Sequence, residues 1–423
     1  MIPLFSRRSF NRNFNDTVEA MAERIETTAD IAQPLDAAAV MRLFPAPPPL
    51  LALGEPTHGE DALLDVRNAV FRQLVEQYGY RTITIESDCL RGLVVDDYVT
   101  WGAGTLDEVM ARGFSHPWGP SAPNRELVRW MRAYNEDRPA RERIRFAGFD
   151  GPLEITHAES PRQALTALHG CLSAWVDPDL LPCTAKTLDR LLGADDRWTE
   201  PEAMTDPARS VGRSADAGRL RTLAADLASL LDEQTPHLIA SASRDDWERA
   251  RLHARTATGL LAYHHAMADD SPARMTRMLG ARDRMMAANL LALAERGPSF
   301  VHAHNSHLQR AKSSMRMWQG RLEWWSAGAL VSARLGGEYG FVATALGTIR
   351  HHGVDTPPPE TVEGLLYALP DDPCVIEPAR LADALGNPRP EPRVSSWFGY
   401  APLDPGHLDT VDGVAFVKDM PRP

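Results

Sequence analysis

Cysteine is scarce in this chain. Cys89, Cys171, Cys183 and Cys374 are the only four among 423 residues, with no CxxC pair and no zinc-type spacing. That argues against a disulfide framework or a thiolate zinc site, and is expected of a cytoplasmic protein with free thiols. Cys89 is read as packing and not as a nucleophile. The sequence also lacks any Lys/Arg block, and its net charge is -12. Nucleic acid and anionic membrane are therefore not expected as main partners. No apolar run reaches the length of a membrane-spanning helix. There is no GxSxG elbow, no HExxH and no GxxxxGKS/T loop, which disfavours covalent serine hydrolysis, zinc-protease chemistry and nucleotide chemistry. Ser6-Arg7-Arg8-Ser9-Phe10 resembles a twin-arginine signal, but polar residues follow where an apolar region is required, so export is not expected.

What is present is the composition of a globular protein, with 43% hydrophobic and 24% charged residues. The organising stretch is residues 51–88, LALGEPTHGEDALLDVRNAVFRQLVEQYGYRTITIESD. An apolar run at 50–53 reads as a buried strand, 61–78 has helical periodicity closed by Gly79, and 81–85 is a second β-rich run. Strand, helix and strand make a βαβ unit, and in such sheets ligands bind beyond the carboxyl ends of the strands. Glu55, His58 and Glu86 fall there. Within the helix, Leu63, Val70, Phe71, Leu74 and Tyr78 share one face with Arg67 in its middle. Such an arginine either reaches water along its stem or meets carboxylates, for which Glu55 and Glu86 are the candidates.

The rest of the chain predicts an α/β fold: a largely parallel central sheet flanked by helices, with an inserted all-helical subdomain capping the strand ends. The expected divisions are a polar, helical extension (1–34), a first core part (35–151), a helical insertion (152–295) and a second core part (296–423). Residues 16–27 and 34–44 read as helices, and 45–49, rich in proline, lead into the first strand. Residues 91–98 and 124–135 read as helices, with 101–122, carrying His116 and Trp118, as a loop between them. Residues 143–150, RIRFAGFD, are the third strand and end in Asp150, which could equally be a helix N-cap. The insertion suggests helices at 161–175, 214–232, 245–267 and 275–294, with a loop at 198–213. Its Trp175, Trp198 and Trp247 could bind a bulky ligand or be surface and core. His264 and His265 read as filler. Further strands are expected at 299–303, 341–346, 374–377 and 413–418. After the first of these comes HAHNSH, in which His302 and His304 share a strand face and His307 lies three residues beyond His304.

Four strand ends thus carry Glu55 with His58, Glu86, Asp150, and His304 with His307. Carboxylates, imidazoles and a guanidinium make a general acid–base set. A carboxylate beside a histidine fixes its tautomer and raises its basicity, so that it can deprotonate water for attack on an ester. A second, cationic histidine can stabilise the oxyanion or protonate the leaving alkoxide. The same histidines and carboxylates could instead hold zinc or iron.

GEPTHG with Arg67, followed by TIESD, FAGFD and HAHNSH, resembles the erythromycin esterase family. WGPSAPNRELVRWMRAYN and LDTVDGVAFVKD are similar to further family segments, and the likeness runs from about residue 35 to 419. The resemblance implies hydrolysis of a macrolactone ester without a serine nucleophile. His58 would be the base on water, Glu55 and Glu86 the site carboxylates, Arg67 the site arginine, and His304 and His307 the histidine pair. His307, Asp150, Trp118 and His116 are expected to bind substrate. No metal or cofactor is expected, the partner being a small-molecule ester or lactone. Two other classes stay open: a natural-product enzyme using the same site for cyclisation, elimination or acyl transfer, and a metal- or haem-binding protein.

Overall fold

A computed structural model describes residues 32–154, 157–317 and 320–422. The expected helix at 16–27 and the arginine pair at 7–8 lie outside the described residues. Eight strands form a mixed, mostly parallel sheet flanked by helices, the fold class expected from the sequence. They are β1 (Gln33–Pro34), β2 (Leu50–Glu55), β3 (Thr82–Asp88), β4 (Arg145–Asp150), β5 (Ser299–His304), β6 (Tyr339–Thr348), β7 (Cys374–Ile376) and β8 (Gly413–Asp419). Their order is β1-β7-β8-β6-β2-β5-β3-β4. The chain divides into two compact units. The first holds the described part of Met1–Gly79, with His302–Asn305 and the described part of Gly340–Pro423. The second holds the described part of Tyr80–Val301 with that of Ser306–Tyr339.

In the first unit β6 and β8 run parallel, from Val342 opposite Gly413 to Thr348 opposite Asp419, while β7 and β1 add antiparallel strands. Every residue of β2 is buried, as a two-sided strand of a parallel sheet requires. The helix Asp61–Tyr78 ends at Gly79, whose φ of 74° is the left-handed stop that glycine adopts without a Cβ penalty. Its Leu63, Val70, Phe71 and Leu74 are buried, each contributing roughly 1.5–3 kcal/mol. Gly54, at the end of β2, has a different reason. A Cβ there would stand 2.0 Å from Oδ1 of Asn305. Asn305 needs that space because its amide pairs with the backbone of Thr344 in β6 through both its nitrogen and its oxygen.

In the second unit β3 and β4 pair in parallel, with an irregularity between Ile85 and Asp88. Asp88 then caps the helix Cys89–Trp101, accepting from the N–H groups of Leu90 and Arg91. The stretch after β4 is helical as expected: Arg162–Trp175, Ala185–Leu192, Ala215–Glu233, Thr235–Ser241, Arg244–Met267 and Arg274–Ala294. The first five of these share a core that includes Leu165, Leu168, Leu220, Leu227 and Leu261. The last helix packs at the end of β4, where Asn289 donates to the Phe149 carbonyl.

Four details depart from the sequence expectation. A two-residue hairpin, Leu153–Glu154 with His157–Ala158, opens the helical stretch, so that stretch is not wholly helical. The expected loop at 101–122 contains the helix Leu106–Arg112, opened by a reciprocal capping box of Thr105 and Glu108. The expected loop at 198–213 is a series of short 3-10 turns. A hairpin, Lys312–Met317 with Gly320–Trp325, and the helix Ala327–Leu335 occupy a stretch for which no element was expected. Among the described residues no helix is long and apolar enough to cross a membrane.

Candidate active site

In the first unit the end of β2 delivers Glu55 between two imidazoles. Its Oε1 lies 2.7 Å from Nδ1 of His58, and its Oε2 lies 3.1 Å from Nε2 of His302. Burial pushes the Glu55 carboxyl up, but His302 and then His58 outweigh that and hold it far below the usual carboxylate range. The group is therefore an ionised acceptor. His302 is buried, and its Nδ1 lies 3.1 Å from the Leu53 carbonyl. His58 differs in exposure, with 41% of its side chain open to solvent. With Nδ1–H donating to Glu55, Nε2 becomes the lone-pair nitrogen. His304 comes from the same face of β5 as His302. Its ring lies 5.3 Å from that of His58, and its Nε2 lies 3.3 Å from the Pro56 carbonyl.

Arg67 is buried, as its place on the apolar face implied. It donates to Asn68 Oδ1 through Nε at 3.1 Å and Nη2 at 2.8 Å. Burial lowers its pKa to about 10 against the opposing charges of Glu55 and Asp65, so it is a cation at neutral pH.

In the second unit the carboxylates that end β3 and β4 share one arginine. Arg282, on the helix Arg274–Ala294, donates to Asp150 through Nε and, at 2.6 Å, through Nη2, which also lies 3.2 Å from Glu86. All three are buried. Burial raises the Asp150 carboxyl, but Arg282 overcomes it and leaves the group below its ordinary value. His307 stands between two acids, with Nδ1 2.9 Å from Asp283 and Nε2 3.3 Å from Glu86. Burial disfavours its charge, yet Asp283 and Glu86 reverse that and push the imidazole up to about 10. Asp283 also accepts from the Trp324 indole at 2.7 Å and the Ala327 N–H at 2.8 Å. The unforeseen hairpin and helix thus fix the acid that charges His307. His116 stands beside these groups, with Nε2 3.8 Å from Asp150 and Nδ1 3.5 Å from Glu154, and its ring lies 5.0 Å from that of Trp118. Its φ of 55° is uncommon for a residue with a side chain.

The expected residues therefore fall into two sets: Glu55, His58, Arg67 and His304 in the first unit, and Glu86, Asp150, His116, Trp118 and His307 in the second. Three participants were missed. His302 was noted only for sharing a face with His304. Arg282 and Asp283 carry the signal that singles out Arg67, charged residues at apolar helical spacing between Met278 and Met286. Other candidates are structural. Cys89 is buried and its thiol is pushed up to about 12 by that burial. Trp198 is buried and donates to the Leu192 carbonyl, while His264 is buried against the Glu159 carbonyl.

The family model described as erythromycin esterase matches residues 75–420, a span that begins after His58 and Arg67. Erythromycin esterase type II of Escherichia coli is 26% identical over 276 residues, 62% of this chain and 61% of that protein, so less than two thirds of the relative is spanned. A solved Bacillus cereus protein has a TM-score of 0.70 at 15% identity, covering 94% of this chain and 97% of its own. A mutant of the erythromycin esterase EreC in its open conformation has a TM-score of 0.64 at 18% identity, covering 89% and 92%. At those identities the two structures establish the fold. With most of its length matched by the family model, the chain belongs to the erythromycin esterase family.

Proposed function

We propose that the protein is an ester hydrolase that opens a lactone of a polyketide or macrolide-type small molecule by means of a histidine-activated water, without a covalent serine intermediate. The observation that carries this reading is the 2.7 Å contact between the Glu55 carboxylate and Nδ1 of a half-exposed His58. Nε2 of His58 takes a proton from water as the water oxygen bonds to the ester carbonyl carbon. Glu55 stabilises the imidazolium that forms. Collapse of the tetrahedral intermediate breaks the bond to the alkoxide oxygen, and the His58 imidazolium returns its proton to that oxygen. The product is a single ring-opened hydroxy acid, heavier than the lactone by one water.

His304, with its ring beside that of His58, is assigned the stabilisation of the oxyanion. The contacts with His302 and His58 keep Glu55 ionised. On the likeness of TIESD and HAHNSH to family motifs, Glu86 and His307 are assigned to the same reaction. Asp150, His116 and Trp118 are assigned to substrate binding. The reaction so written uses no metal. A panel of macrolides and simpler lactones, followed by mass spectrometry of the products, tests the proposal. Products that gain one water support it, whereas products of unchanged composition support cyclisation or elimination instead.

A further inference from the structure

Glu60, His351 and His352 lie in the first unit and take no part in the chemistry above. Each offers a donor atom, and all three donors lie within 4.8 Å of one another. Glu60 occupies the N-cap position of the helix Asp61–Tyr78 yet makes no capping hydrogen bond. Its carboxylate turns instead to Nε2 of His351, at 3.1 Å. An ion pair accounts for that contact, but it leaves the placement of a second imidazole beside it unexplained. His352 stands with its ring 4.6 Å from that of His351, lying flat on Trp397 at 3.9 Å and 11°.

The backbone that presents the two histidines is pinned. Ile349 and Val354 exchange both backbone hydrogen bonds across the turn, at 2.8 and 3.1 Å, and Gly353 turns the chain with a φ of 73°. Two donors at about 2.1 Å from one ion stand roughly 3–3.5 Å apart, and the separation of Glu60 and His351 matches that. His352 is exposed, so its ring can close the remaining distance. We propose that Glu60, His351 and His352 form a binding site for one divalent transition-metal ion of the zinc class, with a coordination position left for water. Two imidazoles and one carboxylate select such an ion over magnesium or calcium, which favour all-oxygen shells.

The test uses the full chain, dialysed against a chelator and titrated with Co2+ while visible absorption is followed, then with Zn2+ in competition with a chromophoric chelator. The expected result is saturation at one ion per chain with ligand-field bands of a low-coordinate site. Glu60→Gln and His352→Ala, each checked by circular dichroism for folding, should lose those bands and bind Zn2+ at least roughly tenfold more weakly. His58→Ala should bind as the wild type does. Absence of saturable binding overturns the proposal, as does equal affinity in the folded Glu60 and His352 variants. Loss of binding in His58→Ala also overturns it, because the ion would then sit on the acid–base residues.

Discussion

Oε1 of Glu55 stands 2.7 Å from Nδ1 of His58, and an ionised carboxylate there accepts the Nδ1 proton. In the proposed reaction Nε2 of the same ring takes the proton from water. His58→Ala removes the acceptor from a half-exposed position, so the fold should survive and its circular dichroism should match wild type. Turnover should fall by about 10²–10⁴-fold, the usual worth of a general base. Near-wild-type turnover in that variant would take the base role away from His58.

Arg67 is a buried cation, and the Glu55 carboxylate is an opposing charge that favours it. Arg67→Ala should lower unfolding free energy by about 3–5 kcal/mol, the scale for breaking a buried charge pair. Chemical denaturation measures this directly. A midpoint unchanged from wild type would mean that the guanidinium contributes nothing to the fold.

Arg282 and Asp150 form a two-point contact, with Glu86 on the same guanidinium nitrogen. Arg282→Gln and Asp150→Asn should each destabilise by about 3–5 kcal/mol. The double variant should lose clearly less than their sum, because no charge of the pair is left unmatched. Strict additivity would contradict the pairing.

His307 supplies a pH dependence with a definite sign. Its pKa rises from 6.5 in the unfolded chain to about 10 in the fold, under the charges of Asp283 and Glu86. A raised folded value contributes stability that is fully present below about pH 6.5 and is lost as pH climbs towards 10, on the order of a few kcal/mol in total. Unfolding free energy measured across that window should decline in the wild type, and the decline should shrink in His307→Gln. A flat wild-type profile from pH 6.5 to 10 would show that Asp283 and Glu86 do not charge this ring.

How much of this could be read in advance follows from what each residue's neighbours in sequence disclose. Glu55, Glu86 and Asp150 each end an apolar β run, and a parallel sheet puts such residues at its binding edge. Arg67 was legible because helical spacing set a charge on an apolar face. His302 was not assigned, because a buried histidine in a strand shows its role only through its partner, and Glu55 is far away in the chain. The same holds for Asp283, whose acceptor work depends on Trp324 and Ala327. The hairpin that carries Trp324 does alternate, in Ser314-Met315-Arg316-Met317 and Arg321-Leu322-Glu323-Trp324 around Gly320, so its strands were legible in the sequence though no element was expected there. The helix Leu106–Arg112 did carry a signal, the capping box of Thr105 and Glu108, but the glycines and prolines around it outweighed that reading.

The most direct test of the proposed reaction is mass spectrometry of a macrolide lactone incubated with the protein in 18O-labelled water, run beside His58→Ala. The account predicts a ring-opened product that gains the elements of one labelled water, with the label in the new carboxyl group, formed by the wild type and lost in the variant. A product without the label, or equal labelled product from both proteins, would contradict it.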